Sequence, residues 1–354
     1  MIQPQPQPQY SIPFNRAWIP ERSRELAAKA MSDPGGDGPY TRECERWIEQ
    51  ELGVPKVLLT TSGTAALEMA AKLYDRPGMT LPSYGFPSIA NITDNTFFVD
   101  VDSQTQNAEV QTDVVLHYAG VAAPLNSDNV IEDCAHAFLA KYNGKYLGTF
   151  GRLAALSFHN TKNFNMGEGG ALIINDPSLI ERAYIIRDKG TNRQAMNRGD
   201  VDKYTWVGYG SSYSPSDVLA AMLLGQLECA DVIQNKRARL WYGYDVELAA
   251  WASNFGFVRP CIPPACEQSF HMYYLVAPTP EARTSLIKHL ADRGIQAVIH
   301  YQPLHRRFGL DDKDFPNTVR AANQLLRLPF YTRMNSIEQI SVVNAVKSWR
   351  PTCA

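Results

Sequence analysis

Between residues 57 and 174 the chain repeatedly gathers a few apolar residues and then breaks into polar, glycine-rich or helix-favouring stretches. The runs are Val57-Leu58-Leu59, Phe97-Phe98-Val99, Val114-Val115-Leu116, Val130-Ile131, Ala154-Ala155-Leu156 and Ala171-Leu172-Ile173-Ile174. Strands that are apolar without alternation are covered on both faces, which predicts an α/β fold with a mostly parallel central sheet and helices on both faces. Upstream, helices are predicted over 21–31 and 41–52, joined by the Gly/Pro-rich loop 33–40. Downstream, Ser214-Pro215-Ser216-Asp217 reads as the start of a long helix: Ser214 can cap, Pro215 suits the first turn and Asp217 complements the dipole. Val218, Met222, Gly225, Cys229 and Val232 then recur at helical spacing, a stripe suited to packing against a core or a second subunit.

Near residue 236 the pattern resets. A strand over 272–276, a helix over 281–293, a strand over 295–301 and helices around Leu325 and Ile340 predict a smaller C-terminal α/β domain. The expected organisation is therefore a Gln/Pro tail over 1–12, held extended by alternating prolines, a large domain over 13–235 and a small one over 236–354.

Charge and cysteines narrow the function. With 34 basic and 36 acidic residues, the chain has no field to gather nucleic acid or an acidic membrane. The six cysteines show no C-x-x-C spacing, so neither a zinc site nor a redox pair is expected, and they read as reduced thiols of a cytoplasmic protein. No stretch reaches the roughly 20 apolar residues that span a bilayer, and the start of the chain lacks a secretion-signal pattern. A G-x-G-x-x-G after the first strand is missing as well, which argues against a nicotinamide enzyme.

Three segments carry candidate chemistry. Strand 56–60 turns through Thr61-Ser62-Gly63-Thr64 into a helix, which is either ordinary capping or a seat where helix-start N–H groups meet a phosphate. The strand Val130-Ile131 ends in Glu132-Asp133, with His136 three residues on. Strand side chains alternate, so only one of the two acids can enter a site at the sheet's carboxyl edge, where it needs a cationic partner such as a protonated pyridine; a solvated strand end is the alternative. Lys162 lies in Ser157-Phe158-His159-Asn160-Thr161-Lys162-Asn163, ahead of Gly167-Glu168-Gly169-Gly170, in a polar connection between buried strands. Most lysines are surface charges, but one in such a pocket can lose its proton and form an imine with an aldehyde cofactor.

These motifs, with Pro82-Ser83-Tyr84-Gly85-Phe86, stand in the order and spacing of the DegT/StrS sugar-nucleotide aminotransferases, and the chain resembles that family from Ile12 to its C-terminus. The resemblance implies the fold type I architecture of pyridoxal 5'-phosphate enzymes. It further implies Lys162 as the residue carrying the cofactor and moving the proton, Asp133 against the pyridine nitrogen, His136 by the phenolic oxygen and Phe86 on the ring face. Ser62, Gly63, Thr64 and Ser157 would hold the phosphate, completed by Ser212 of a second subunit, so the active unit is expected to be a homodimer with shared sites. Many relatives have Asn where Ser212 stands, and others Gln where His136 stands.

Further runs, Val115-Leu116-His117-Tyr118-Ala119-Gly120-Val121, Asp188-Lys189-Gly190-Thr191-Asn192-Arg193, Val201-Asp202-Lys203-Tyr204-Thr205-Trp206 and Gly210-Ser211-Ser212-Tyr213, are similar to those of family members that make dTDP-4-amino-4,6-dideoxygalactose. So are His300-Tyr301-Gln302-Pro303-Leu304-His305 and Leu325-Leu326-Arg327-Leu328-Pro329. The implied reaction moves an amino group from L-glutamate to the C4 keto group of a dTDP-4-keto-6-deoxyhexose. The loop 35–39 and the segment 300–305, with Tyr301 and His305, are expected at the sugar, the alternative for each being an ordinary turn or strand end. Related sugar dehydratases place a His where Lys162 stands, so Lys162 favours transamination over deoxygenation. The remaining alternatives are a C3-aminating or other keto-sugar-nucleotide aminotransferase and a non-catalytic protein of the same fold. The stretch from Asp102 to Val130 is shorter than the family pattern and is expected to lack a peripheral helix.

Overall fold

A computed structural model of the chain describes residues 10–108, 110 and 112–351. In chain order, the first part holds α1 (Glu21–Ala30), α2 (Pro39–Leu52), β1 (Lys56–Thr60), α3 (Gly63–Tyr74), β2 (Met79–Pro82), β3 (Thr96–Val99), β4 (Val114–Leu116) and β5 (Ile131–Asp133). There follow β6 (Lys141–Tyr142), β7 (Lys145–Tyr146), β8 (Leu153–Ser157), β9 (Gly170–Ile174), α4 (Ile180–Arg187), α5 (Arg193–Arg198), α6 (Asp217–Leu227) and α7 (Ala230–Phe255). The last part comprises β10 (Cys266–Glu267), β11 (Tyr274–Val276), α8 (Pro280–Ala291), α9 (Pro316–Gln324), β12 (Leu325–Arg327) and α10 (Ser336–Ser348). Among the described residues no helix is long and apolar enough to cross a membrane.

The central sheet runs β1-β9-β8-β5-β4. Strands β4, β5 and β8 pair in parallel, while β9 is reversed and pairs antiparallel with both β8 and β1. Four of these strands therefore share one direction, as a mostly parallel sheet requires, and β2 and β3 form a further parallel pair. Alternation explains why each run of the central sheet is apolar throughout, whereas Phe97 of β3 is exposed, so that run, against expectation, is not covered on both faces. Leu58, Leu116, Ile131, Ala155 and Leu172 enter one core with Leu67 and Met69 of α3, while Val57, Leu59, Ala154, Leu156 and Ile173 enter another with Ile48 of α2 and Leu224 of α6. Burying a leucine-sized side chain in either contributes about 2 kcal/mol.

Register then fixes the place of the site. Asp133 pairs with Leu116 and Ala155, and Gly170 pairs with both Thr60 and Ser157. The carboxyl ends of β1, β4, β5 and β8 thus open on one edge, where open α/β sheets bind their ligands.

Several expectations are corrected. Ser216, not Ser214, caps α6, its side chain accepting from the Val218 N–H. Asp217 is buried and accepts from Thr41 N at 2.7 Å, Thr41 Oγ1 at 2.8 Å and Tyr40 N at 3.2 Å, so it serves the start of α2. The stripe along this region is also not uniformly packed: Gly225 meets α1 at Ser23, but Val232 is exposed. Residue 236 falls inside α7, whose start joins the large core through Ile233 and whose later turns carry Leu240, Trp241, Tyr244 and Trp251 into the C-terminal core.

In the C-terminal part, 295–301 makes only isolated bridges, Ile295 to Ile12 and Val298 to Arg327. Leu325 lies in strand β12, because Leu325 and Leu326 are buried in pairing with β11. Most of the predicted tail, residues 1–9, lies outside the described residues; at its end Ser11 bonds the Gly294 carbonyl and Ile12 is buried. The described residues of 102–130 contain β4 and a short turn of 3-10 helix but no α-helix, as expected.

Candidate active site

The strand edge opens into a cavity of about 620 Å³ lined by Ser62, Gly63, Thr64, Phe86, Asp133, His136, Ser157, Lys162 and Tyr301, among others. Nine of the eleven site residues expected from sequence therefore face one space. At its floor β1 turns into α3. Ser62 caps the helix, its hydroxyl accepting from Ala65 N at 3.0 Å, so the capping reading is correct as far as it goes. The positive helix end nevertheless opens on the cavity beside Ser157, and a Cβ on Gly63 would stand 2.8 Å from that of Ser157. Only glycine permits this approach, which leaves backbone N–H groups and three hydroxyls around an anion-sized seat.

The two acids of β5 part company as alternation demands. Glu132 is buried away from the cavity, where it accepts from His117 Nε2 at 3.0 Å and from the backbone N–H groups of Gly148, Phe150 and Gly151, each at 2.7 Å. Burial opposes its charge, but the His117 bond and these backbone donors outweigh burial and hold the pKa below the ordinary value. The nearby Cys134 could complete a metal-ligand trio with His117 and Glu132, yet every acceptor site on the carboxylate is already committed. Asp133 turns into the cavity and accepts from Ala135 N at 3.0 Å. Burial pushes its pKa up, against the Ala135 bond and the Lys162 charge, so it is a carboxylate short of a cation.

Lys162 follows a turn held by its own N–H to the His159 carbonyl at 2.9 Å. Its pKa is lowered to about 8, chiefly by burial and further by the charge of Arg327, while Asp133 pulls the other way. Among the described residues the ammonium and Asp133 form no ion pair within 4.0 Å. Both groups line the same cavity, where a flat ring with a protonated nitrogen could meet the carboxylate and the amine together.

His136 Nδ1 accepts from Ala119 N at 3.4 Å, which places the proton of a neutral ring on Nε2, 3.3 Å from the Tyr301 hydroxyl. Burial, aided by the charge of Lys162, holds its pKa well below the usual histidine range. The ring stacks on His271 at 4.3 Å, and Phe86, largely exposed at the lip, meets Tyr301 edge-on at 6.0 Å.

Two expected residues lie elsewhere. Ser212 is exposed and does not line the cavity of its own chain; it lies on a loop bridged to Asp188. His305 is corrected from a sugar contact to a packed residue: it is fully buried, bonds Ser83 Oγ at 2.5 Å and Asp312 at 3.0 Å, and stacks on Phe315. The loop 35–39 likewise serves structure, with Asp37 binding Arg187 and Gln194. His300, in the segment expected at the sugar, also lines the cavity; conversely, Arg327 and His271 line it although sequence reasoning gave them no role, and the one usable signal was a charged residue inside the apolar run at 325–328.

The residues present fit pyridoxal phosphate: an anion seat at a helix start, a buried carboxylate lacking a cation, and an amine of lowered pKa in the same cavity. When bound, this cofactor supplies an aldehyde and an electron-accepting protonated ring. Fold and cavity together define a pyridoxal-phosphate enzyme of fold type I. The chain belongs to the DegT/DnrJ/EryC1/StrS aminotransferase family, whose model matches residues 126–347, and it is a sugar aminotransferase. It is 28% identical to the uncharacterized protein MJ1066 of Methanocaldococcus jannaschii over 95% of this chain and 96% of that one. It is 28% identical to the dTDP-4-dehydro-2,3,6-trideoxy-D-glucose 4-aminotransferase of Saccharopolyspora spinosa, over 87% and 89% respectively. Among solved structures, Spr1654 from Streptococcus pneumoniae in its PLP-form superposes with a TM-score of 0.85 at 21% identity, covering 96% of this chain and 98% of that one, a likeness of fold.

Proposed function

We propose that the protein transfers the amino group of L-glutamate to the C4 keto group of a dTDP-4-keto-6-deoxyhexose, giving dTDP-4-amino-4,6-dideoxygalactose. The observation that carries the transaminase reading is the Lys162 amine, lowered to about 8, lining the same cavity as the Asp133 carboxylate, which has no ion-pair partner among the described residues. The relative named as a dTDP-sugar 4-aminotransferase supports the nucleotide and the carbon.

In this reading Lys162 holds the cofactor and then carries the proton to and from the substrate carbon. Asp133 keeps the pyridine nitrogen protonated, while His136 Nε2–H faces the phenolic oxygen. Phe86 covers the ring, and Ser62, Gly63, Thr64 and Ser157 grip the phosphate. Tyr301 lies at the sugar side. Ser212, exposed and not among the residues lining its own cavity, completes the phosphate site of a second copy, so the working unit is a homodimer. The large and small domains divide along α7 near residue 236, and the protein works in the cytoplasm.

The test is to supply glutamate with a panel of dTDP-, UDP- and GDP-linked 3-keto and 4-keto sugars and identify the products by mass spectrometry and NMR. Amination of C4 on the dTDP sugar with galacto stereochemistry is expected. A C3-aminated or deoxygenated product overturns the assignment.

A further inference from the structure

The roles assigned above leave unused a strap near the start of the chain, residues 11–16. Both of its ends are tied to the C-terminal part. Ile12 N donates to the Gly294 carbonyl and Ile12 O accepts from Gln296 N, each at 3.0 Å, while Arg16 lies over the Tyr331 ring and bonds Glu338 at 3.3 Å. Between these ties Phe14 is fixed through its own backbone, its N–H donating to Gln296 Oε1 at 2.9 Å and its carbonyl accepting from Phe330 N at 3.2 Å. The half-buried Phe14 lines the active-site cavity together with Phe330 and with Ile299, the neighbour of the His300 ring that Phe14 meets edge-on at 5.9 Å. Two contacts place this apolar wall at the reacting end of the cavity. Asn15 donates to the Asn160 carbonyl at 3.2 Å, in the turn that presents Lys162. The His300 ring lies near enough to Arg327 and Lys162 for their charges to add to burial in lowering its pKa to about 4.

We infer that Phe14, with Ile299 and Phe330, receives the C6 methyl group of the sugar and makes the enzyme select 6-deoxy over 6-hydroxy sugars. This rests on the keto-sugar reading above and adds to it the residues that recognise C6. A hydrocarbon surface beside the reacting amine suits few parts of a hexose, whose ring carbons carry hydroxyl groups. The methyl group is the exception, and it is attached to C5, the neighbour of the C4 carbon that must reach Lys162. Covering that methyl removes apolar surface from water on both sides of the contact. A C6 hydroxyl at the same place would lose its water, and neither a phenyl ring nor an isoleucine side chain offers it a hydrogen-bond partner. A nucleobase would also cover aromatic rings, but the nucleotide leaves from C1, across the sugar ring from C4, and is carried away from Lys162. Because Phe14 is held by 296 and 330, the strap makes the start of the chain a working part of the sugar site.

The experiment is calorimetry on the holoenzyme with dTDP-D-fucose and dTDP-D-galactose, which differ only at C6 and carry a C4 hydroxyl that cannot be transaminated, and with dTDP as the reference. The wild type is expected to bind the fucoside about 30-fold more tightly than the galactoside, within the limit of about 100-fold that an apolar surface sets against an added hydroxyl. Phe14→Ala should reduce that preference to about threefold or less, chiefly by weakening the fucoside about tenfold, while dTDP stays within about twofold. Phe14→Leu, which keeps a hydrocarbon surface, should retain a preference of about tenfold. Ile299→Ser, at a position 43% exposed, should cut the preference about threefold or more, and it supplies the reading if Phe14→Ala does not fold. A wild type indifferent to C6, a preference that these substitutions leave unchanged, or a dTDP affinity that falls as far as the fucoside's overturns the inference, the last by giving the wall to the nucleotide. If the wild type binds neither dTDP sugar nor dTDP, the nucleotide named above is wrong, and the wall is judged by the same 6-deoxy and 6-hydroxy pair on the UDP or GDP carrier that does bind.

Discussion

The lowered pKa of Lys162 makes the kinetics of cofactor loading a sensitive probe of the site. An ordinary lysine titrates at 10.5, and this one at about 8, because burial disfavours its charge and Arg327 adds to that while Asp133 opposes both. At pH 7 the shift raises the neutral, nucleophilic fraction about 300-fold, to roughly one amine in ten. Mixing apoenzyme with pyridoxal phosphate in a stopped-flow instrument and following visible absorbance should therefore show a rate that climbs with pH and levels near 8. Asp133→Asn removes the single influence that raises the amine's pKa, so the midpoint should move below 8 by on the order of one pH unit. Loading at pH 7 should become a few-fold faster even as the cofactor, deprived of a counter-charge, dissociates more readily. A wild-type midpoint near 10, or slower loading of the Asn variant at every pH, would refute the electrostatic account.

Gly63→Ala places a methyl 2.8 Å from the Ser157 Cβ and should raise the cofactor's Kd at least tenfold, measured by equilibrium dialysis, with the melting temperature within a few degrees of wild type. Glu132→Gln should lose about 3 kcal/mol in urea unfolding at pH 7, since the buried acceptor that satisfies His117 and three backbone donors is weakened. Its sign with pH is set by a folded pKa below the unfolded one: the stabilisation is present above about 4.5 and is lost as pH falls through the folded value, so wild type should lose stability from pH 5 to 3 more steeply than the variant. Mixing Lys162→Ala with Ser212→Tyr should regenerate activity in hybrid dimers, each having one intact site; no recovery despite subunit exchange counts against Ser212 serving a partner's phosphate seat.

What the sequence revealed, and what it hid, follows from range. The strands of the central sheet were legible because each is buried on both faces and so is apolar almost throughout. The parting of Glu132 from Asp133 follows from strand geometry alone. Asp217 stands in the first turn of its own helix as expected, but its bonds to Thr41 and Tyr40 were hidden, because these lie some 176 residues away and no local pattern encodes that pairing. His305 follows a site-like motif, yet Ser83, Asp312 and Phe315 use up its ring. Arg327 was passed over because an arginine ordinarily sits in solvent; only the folded arrangement brings its unspent donors to the cavity. The break at 236 reflected a real change of core, but the helix beneath it is continuous.

That continuity constrains how the protein can be taken apart or set in motion. At 26 residues, α7 is a rod about 39 Å long, rooted under one core and clamped by the other. Severing the polypeptide at 236 would strand Leu240, Trp241, Tyr244 and Trp251 on a frayed stub, so neither fragment should be recoverable as a well-behaved protein. Any closing movement of the C-terminal half must flex this strut or pivot at its ends, which favours small, stiff excursions over a wide swing.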